Sequence, residues 1–403
     1  MITAASTDWA RTTFGRLARI GNGADYSSVE VQDGGYPVYG SGGLFRRASA
    51  YLFDGESVLF GRKGTIDRPL YVTGKFWTVD TMFYSVIDDR QLLPRFAYYW
   101  ATTLPFGAWA TDTALPSMTS TAIKAAPIAV PPLPEQRAIA DYLDRETARI
   151  DAFIAKNEEL TALLAERRAA VIARFVSRGV ERTANFKSSG LEWASEVPET
   201  WKVGNIRRFA SMKTGHTPSR QNPEYWLDCE IPWFTLADVW QLRQGRRNMS
   251  QTSERISEVG LANSAAELLP AGTVALSRTA SVGFAGIMSV PMATSQDFWN
   301  WVPREGLMSE YLWYQFQSMK PEFERLMTGS THRTIYQADA ASFTVLVPPL
   351  DEQRAIVARL DAETHQIDAA MKTARHGVGL ARERRAALIS AAVTGMIDVG
   401  LAA

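Results

Sequence analysis

The chain is nearly without cysteine: Cys229 is the single one in 403 residues. That excludes a disulfide framework and suits the reducing cytoplasm. It also lacks a charge bias, with 43 basic residues against 43 acidic ones. No general basic field therefore announces a nucleic acid. Dividing the chain changes nothing, since residues 1–130 hold 12 basic and 11 acidic groups, and 183–347 hold 15 and 16. Contact with an anionic polymer must come from local patches. The first residues have no apolar core of a secretory leader, so none is expected. The uncharged run 279–296 is broken by Gly, Ser, Thr and Pro, and no membrane span is expected there. Catalytic signatures are missing too. There is no Gly-x-x-x-x-Gly-Lys loop for a nucleotide and no Glu-x-Lys or Asp-x-Lys of the kind many nucleases use to hold Mg²⁺. His216, His332, His365 and His376 are scattered and have no metal-ligand spacing with Cys229. Asn222-Pro223-Glu224-Tyr225 is close to an amino-methyltransferase motif, but Glu replaces the second Pro and no Gly-rich loop precedes it.

What the chain does have is a duplication. Pro131-Pro132-Leu133-Pro134-Glu135-Gln136-Arg137-Ala138-Ile139 returns as Pro348-Pro349-Leu350-Asp351-Glu352-Gln353-Arg354-Ala355-Ile356, offset by 217 residues. The same offset relates Leu143 to Leu360, Ile150 to Ile367, and Arg167-Arg168-Ala169-Ala170 to Arg384-Arg385-Ala386-Ala387. Two copies of one unit can be arranged about a pseudo-two-fold axis. Each repeat reads as a long helix, because the Pro pair stops the preceding strand and cannot enter a helix interior. Asp351 is a candidate N-cap, and the first-turn glutamates suit the positive helix end.

Leu143, Ile150, Asn157, Leu164 and Val171 recur every seven residues, with Phe153 and Leu160 filling the intervening positions and Ile154 and Phe175 beside them. This is a coiled-coil seam, and its partner is Leu360, Ile367, Ala374, Ala381 and Leu388. Two ordinary amphipathic core helices are the alternative, against which the length of about 40 residues argues. Gly377 and Gly379 each cost ~1 kcal/mol in a helix interior, so the second helix is expected to have a thinned or bent seam there.

The segments before the helices are rich in Gly, Pro, aromatics and short β-like runs. Trp9 matches Trp201, Asn22-Gly23 matches Thr214-Gly215, and Gly55 with Ser57–Phe60 matches Gly272 with Thr273–Leu276. Between these anchors the copies differ, so the frame is duplicated and the loops have diverged. Specificity usually sits on such loops. The expected division is a globule at 1–130, a helix at 131–182, a globule at 183–347 and a helix at 348–403.

With these helix starts, the Arg-Arg-Ala-Ala runs and the loop Gly215-His216-Thr217-Pro218-Ser219, nearly the whole chain resembles the specificity subunit of a type I DNA restriction–modification system. The resemblance implies two α/β (α+β) target recognition domains, each with a small mixed sheet, and two long helices paired as an antiparallel coiled coil. Each domain would read one half of a split, asymmetric sequence in double-stranded DNA, and the helices would set the distance between the halves. The subunit would be non-catalytic and bind no cofactor. Its partners would be two methyltransferase subunits and in some systems motor-nuclease subunits, which would carry the S-adenosylmethionine, ATP and Mg²⁺. A coiled-coil scaffold binding only proteins, and a stand-alone nuclease or methyltransferase, are the rival readings.

Candidate DNA contacts are basic residues in polar, Gly-rich or aromatic loops. In the first globule these are Arg46 and Arg47 after Gly42-Gly43, and Arg62 and Lys63 in Gly61-Arg62-Lys63-Gly64-Thr65. In the second they are Lys213, His216 and Arg220 around the Thr-Pro-Ser loop, Arg243, Arg246 and Arg247 in Arg243–Asn248, then Arg278, His332 and Arg333. Arginine can pair with guanine, and Gln or Asn with adenine, but residue type alone does not separate base contacts from phosphate contacts. Trp226, Trp233, Trp240, Trp299, Trp301 and Trp313 are expected in the core rather than on a base-stacking surface.

Overall fold

A computed structural model of the chain describes residues 9–111, 116–181, 185–327 and 334–399. It divides into two compact units, one of Met1–Glu159 with Ala374–Ala403 and one of Leu160–Thr373. Two long helices, Leu133–Arg178 and Leu350–Val393, each contribute residues to both units. Among the described residues no helix is long and apolar enough to cross a membrane.

The first unit opens with Ala10–Thr13, which pairs antiparallel with Pro127–Val130, the strand that leads into the first Pro pair. An antiparallel sheet has the order Ala18–Asn22, Met82–Ile87, Ser57–Gly61, Leu70–Val72. A second sheet is mixed, because Tyr36–Gly40 runs parallel to Lys75–Thr78 and antiparallel to Gly43–Ala48. Ser57–Gly61 is buried along its whole length, as expected of a central strand covered on both faces. Helix Pro94–Ala101 covers it with Phe96, Tyr99 and Trp100, in a core that also holds Phe14, Phe60, Leu143 and Ile389.

The second unit repeats this frame. Lys202–Asn205 pairs with Thr344–Val347 before the second Pro pair. The order Ala210–Thr214, Phe298–Pro303, Val274–Ser277, Ala285–Met288 repeats the first unit's antiparallel sheet, and Asn248–Met249 adds a parallel edge strand. Ile231–Phe234 lies parallel to Ala293–Thr294 and antiparallel to Glu254–Ile256. Helix Ser309–Ser318 takes the place of Pro94–Ala101 and buries Tyr311, Trp313, Tyr314 and Phe316. A hairpin, Phe186–Leu191 with Ala194–Pro198, precedes the frame.

One glycine position is required twice. A Cβ at Gly23 would lie 1.8 Å from the Val79 carbonyl oxygen, and one at Gly215 would lie 2.2 Å from the carbonyl oxygens of Thr294 and Ser295. Backbone passes so close there that no side chain fits.

The helix pairing is visible inside each unit. In the first, Arg385 meets Asp151 at 2.9 Å and Arg382 meets Glu158 at 2.7 Å, so one helix ascends as the other descends. In the second, Arg168 meets Asp368 at 2.8 Å, the same pair with the helices exchanged. Such exposed pairs stabilise by about 0–1 kcal/mol, and their value here is register. The buried stripe of the first helix is Leu143, Thr147, Ile150 and, further along, Ile172 and Phe175, with half-buried Ile154, Asn157, Thr161, Leu164 and Arg168 between.

Two expectations about the helices are corrected and one is met. Phe153 and Leu160 are 48% and 45% exposed, so the second row of the seam is Thr147, Ile154, Thr161, Arg168 and Phe175. Polar members hid that row, and large apolar side chains one position away imitated it. The second helix runs unbroken through its glycines, and an open groove of about 510 Å³ beside Gly377, lined by Ile150, Phe153, Leu380 and Ala381, leaves the seam thin on that side, as expected. Met371, Ala374 and Val378 of this helix are buried, and a Cβ at Gly377 would lie 3.5 Å from the Phe153 ring. Packing outweighs the propensity cost there. Asp351 is not a cap, because it lies inside the first turn and accepts from Arg354 Nη1 at 2.7 Å.

Candidate nucleic-acid interface

Each unit first fixes its globule to its own part of a long helix. The fixing group is the glutamine of the repeated helix start. Gln136 Oε1 accepts from the Leu93 backbone N–H at 2.7 Å, and its Nε2 donates to the Gln91 and Pro131 carbonyls at 2.9 and 2.8 Å. Gln353 does the same with Met308, Gly306 and Pro348 at 2.8, 2.8 and 2.9 Å. Both side chains are fully buried, so all three bonds form out of water, where a stranded polar group costs about 1–3 kcal/mol. This explains why Gln recurs in both helix starts.

Two turns further on lies a second fixing point. Tyr99 donates to Asp144 at 2.5 Å, beside Thr147, and Arg95 Nη2 meets the same carboxylate at 2.7 Å. In the second unit Tyr314 donates to Asp361 at 2.6 Å, beside Thr364. Burial, and then the carboxylate each one faces, push both tyrosine hydroxyls up to about 12. The arginine differs in origin. Glu310 occupies the place of Arg95, and the cation at Asp361 is Arg247, reaching from the Arg243–Asn248 segment at 2.6 Å. Arg247 also lies over the rings of Trp313 and Tyr314.

The candidate residues fall into groups around these anchors. Arg46 and Arg47 belong to a strand, Gly43–Ala48, rather than a loop. Arg46 pairs with Glu30 at 3.3 Å and Arg47 donates to the Gly35 carbonyl at 3.1 Å, while Leu44 and Phe45 stand exposed beside them. Arg62 and Lys63 are exposed at the end of the central strand. Lys213 lies in a strand and is paired with Glu267 at 2.6 Å. His216 is exposed, its backbone N–H bound to Thr294. Arg220 lies 3.8 Å over Trp226 and pairs with Glu254 at 2.5 Å. Arg243 ends a short helix, Trp240–Arg243, rather than lying in a loop, and donates to the Ser281 hydroxyl, which brings it beside the Arg278 loop. Arg246 is exposed and lies over Trp240, itself 48% exposed. His332 and Arg333 lie outside the described residues. Trp233, Trp299, Trp301 and Trp313 are core, as expected, whereas Trp240 is on the surface and Trp226 is half-buried.

The structure also gathers residues that the sequence left unmarked. Arg246, Arg247 and Asn248 line an open cleft of about 470 Å³ with Arg168, His365 and Asp368. Nearby, burial and then the Arg168 charge hold the Lys320 ammonium below its ordinary range. Arg168 was legible as half of an Arg-Arg-Ala-Ala repeat, but nothing local links Lys320 or His365 to the loop. The chemistry is that of anion and polar-edge recognition: exposed guanidinium groups held flat by aromatic rings on a rigid frame.

Comparison with known proteins agrees with this arrangement. The model of the type I restriction modification DNA specificity domain matches residues 7–162 and again 198–373. The chain is 27% identical over 281 residues to the EcoR124I/EcoR124II type I restriction enzyme specificity subunit of Escherichia coli, covering 68% of this chain and 64% of that protein. It is 30% identical over 168 residues to the MjaIX specificity subunit of Methanocaldococcus jannaschii, covering 40% of this chain and 37% of that one. The matched part thus spans less than two thirds of either relative. Among solved structures, a chain from work on complex assembly and conformational transition of the type I R-M system superposes with a TM-score of 0.71 at 15% identity, covering 97% of this chain and 98% of that one. The HsdS subunit of Thermoanaerobacter tengcongensis gives 0.52 at 16%, with 97% and 98% covered. These likenesses show a shared fold. With the specificity-domain model matched twice, once across each repeated frame, the chain belongs to the type I restriction modification DNA specificity family.

Proposed function

We propose that this chain is the DNA-recognition subunit of a type I restriction–modification complex. Each unit reads one part of a split target in double-stranded DNA. Arg46, Arg47, Arg62 and Lys63 of the first unit and Arg220, Arg243, Arg246 and half-buried Arg278 of the second, with His216, supply phosphate and base contacts. Arg247 spends its charge on Asp361 within the protein, whereas Lys213, like Arg46 and Arg220, is held by a surface carboxylate that DNA can displace. The chain performs no chemistry itself. Methyl transfer, with its S-adenosylmethionine, belongs to two methyltransferase subunits, and cleavage, where present, to motor-nuclease subunits. The observation that carries this reading is the coincidence of the two specificity-domain matches with two copies of one frame.

Adenine methylation mapped across the host genome, with and without this gene, tests it. The expected result is one motif of two short blocks separated by a fixed gap, lost on deletion. A methylome unchanged by deletion, together with no binding of duplex DNA by the chain in the presence of methyltransferase subunits, would leave a protein-only scaffold.

A further inference from the structure

Two of the basic loops are one loop present twice. After the central strand of the first unit come Arg62, Lys63 and Gly64, and after the equivalent strand of the second come Arg278, Thr279 and Ala280. The Arg62 N–H donates to the Thr81 carbonyl at 2.8 Å and the Arg278 N–H to that of Asp297 at 2.9 Å. The Arg62 carbonyl accepts from Met118 at 2.9 Å and that of Arg278 from Ile335 at 3.0 Å. Lys63 bridges to Ser117, and Thr279 to Thr334. Two residues after each arginine the backbone turns left-handed, with φ +83° at Gly64 and +54° at Ala280. For alanine that conformation costs roughly 1 kcal/mol, yet the second unit keeps the turn. Each guanidinium lies over an aromatic ring from the equivalent neighbouring strand: Arg62 at 5.9 Å from Phe83, Arg278 at 4.3 Å from Trp299. Arg278 Nε is buried with no hydrogen-bond partner among the described residues. Burial disfavours its charge, against a weaker opposing pull from Asp297.

Around this shared element the units differ. Lys63 is answered by Thr279, and Ala24-Asp25-Tyr26 by His216-Thr217-Pro218. The Arg243–Asn248 segment leads into an edge strand that the first unit's sheet lacks among the described residues. An arginine kept at one place in two recognition units with different neighbours faces something common to two different DNA sequences. The sugar–phosphate backbone is common, and the base edges are not. We propose that Arg62 and Arg278 are matched phosphate contacts, one per unit, which set the register in which the diverged side chains read bases. This rests on the DNA-recognition reading above.

The test uses the chain assembled with its methyltransferase subunits, a duplex carrying the mapped motif and a duplex of random sequence. Arg62→Ala and Arg278→Ala should each weaken binding by about tenfold on both duplexes alike. The slope of log affinity against log salt should shrink by about 0.9 for each variant. The methylated motif should stay the same, and Arg62→Lys and Arg278→Lys should keep most of the affinity. Arg62 is exposed, so its variants serve even if changes at Arg278 impair folding. A loss confined to the motif duplex, with one motif position relaxed, would make the arginine a base reader and overturn the proposal. Unchanged binding of both duplexes would overturn it as well. Failure of the unsubstituted complex to bind either duplex would instead sink the DNA-recognition reading on which it stands.

Discussion

The two units solve the same mechanical problem with the same parts and then present different surfaces. Gln136 and Gln353 make the same three bonds. Tyr99-Asp144-Thr147 and Tyr314-Asp361-Thr364 form the same cluster. The arginine at that cluster comes from a frame helix in one unit and from a candidate recognition loop in the other. Buried polar groups tolerate little change, because each partner removed strands another group out of water. Exposed loop residues carry no such penalty, and they are where the units have diverged.

The largest effect is expected from breaking the shared clamp. Gln136→Ala and Gln353→Ala each strand one N–H and two carbonyls, so each should lower stability by about 3 kcal/mol, read from urea unfolding. A large loss in one and a loss below ~1 kcal/mol in the other would show that the two units are not held alike.

A smaller effect tests the exchanged arginine. Arg247→Ala should cost about 1 kcal/mol, as Arg95→Ala should, because each partly exposed carboxylate loses its cation. Adding Glu310→Arg to Arg247→Ala should recover most of that loss by restoring the first unit's geometry. If Arg247→Ala leaves the thermal midpoint unmoved, this arginine is not an anchor and returns to the pool of free DNA contacts.

The smallest effect concerns one end of the second unit's clamp. Glu352 accepts a bond from Trp201 Nε1 at 2.9 Å, but burial holds its carboxyl above the ordinary range. The folded state therefore favours the protonated acid. Ionisation costs stability above the folded pKa, and the cost fades as pH falls through it towards the unfolded value. Glu352→Gln should raise the melting midpoint modestly at neutral pH, with the difference closing near pH ~4. A difference that widens on acidification would mean that the ionised carboxylate is the stabilising form.

Much of this was legible before the structure. Identity at a constant offset revealed two units, Pro pairs marked both helix starts, and seven-residue spacing marked a seam, because these follow from local geometry and from copying. The seam's second row was not legible, since Thr147, Thr161 and Arg168 face inward while Phe153 and Leu160, better apolar candidates, face out. Nor was the clamp, for a glutamine in a helix start looks like any first-turn polar residue until its partners arrive from 45 residues away.

The sequence by itself determined the duplication, the long helices, the short β-like runs and the family, all of which depend on residue order and short-range periodicity. Only the tertiary structure decided which cations are spent. Arg247 and Arg246 are adjacent in sequence, yet one is tied to Asp361 and the other lies exposed over Trp240. It alone showed that Arg62 and Arg278 stand at one place in two frames. The physical reason is that a charge's role is set by what lies within a few ångströms, and those neighbours come from strands and helices distant along the chain.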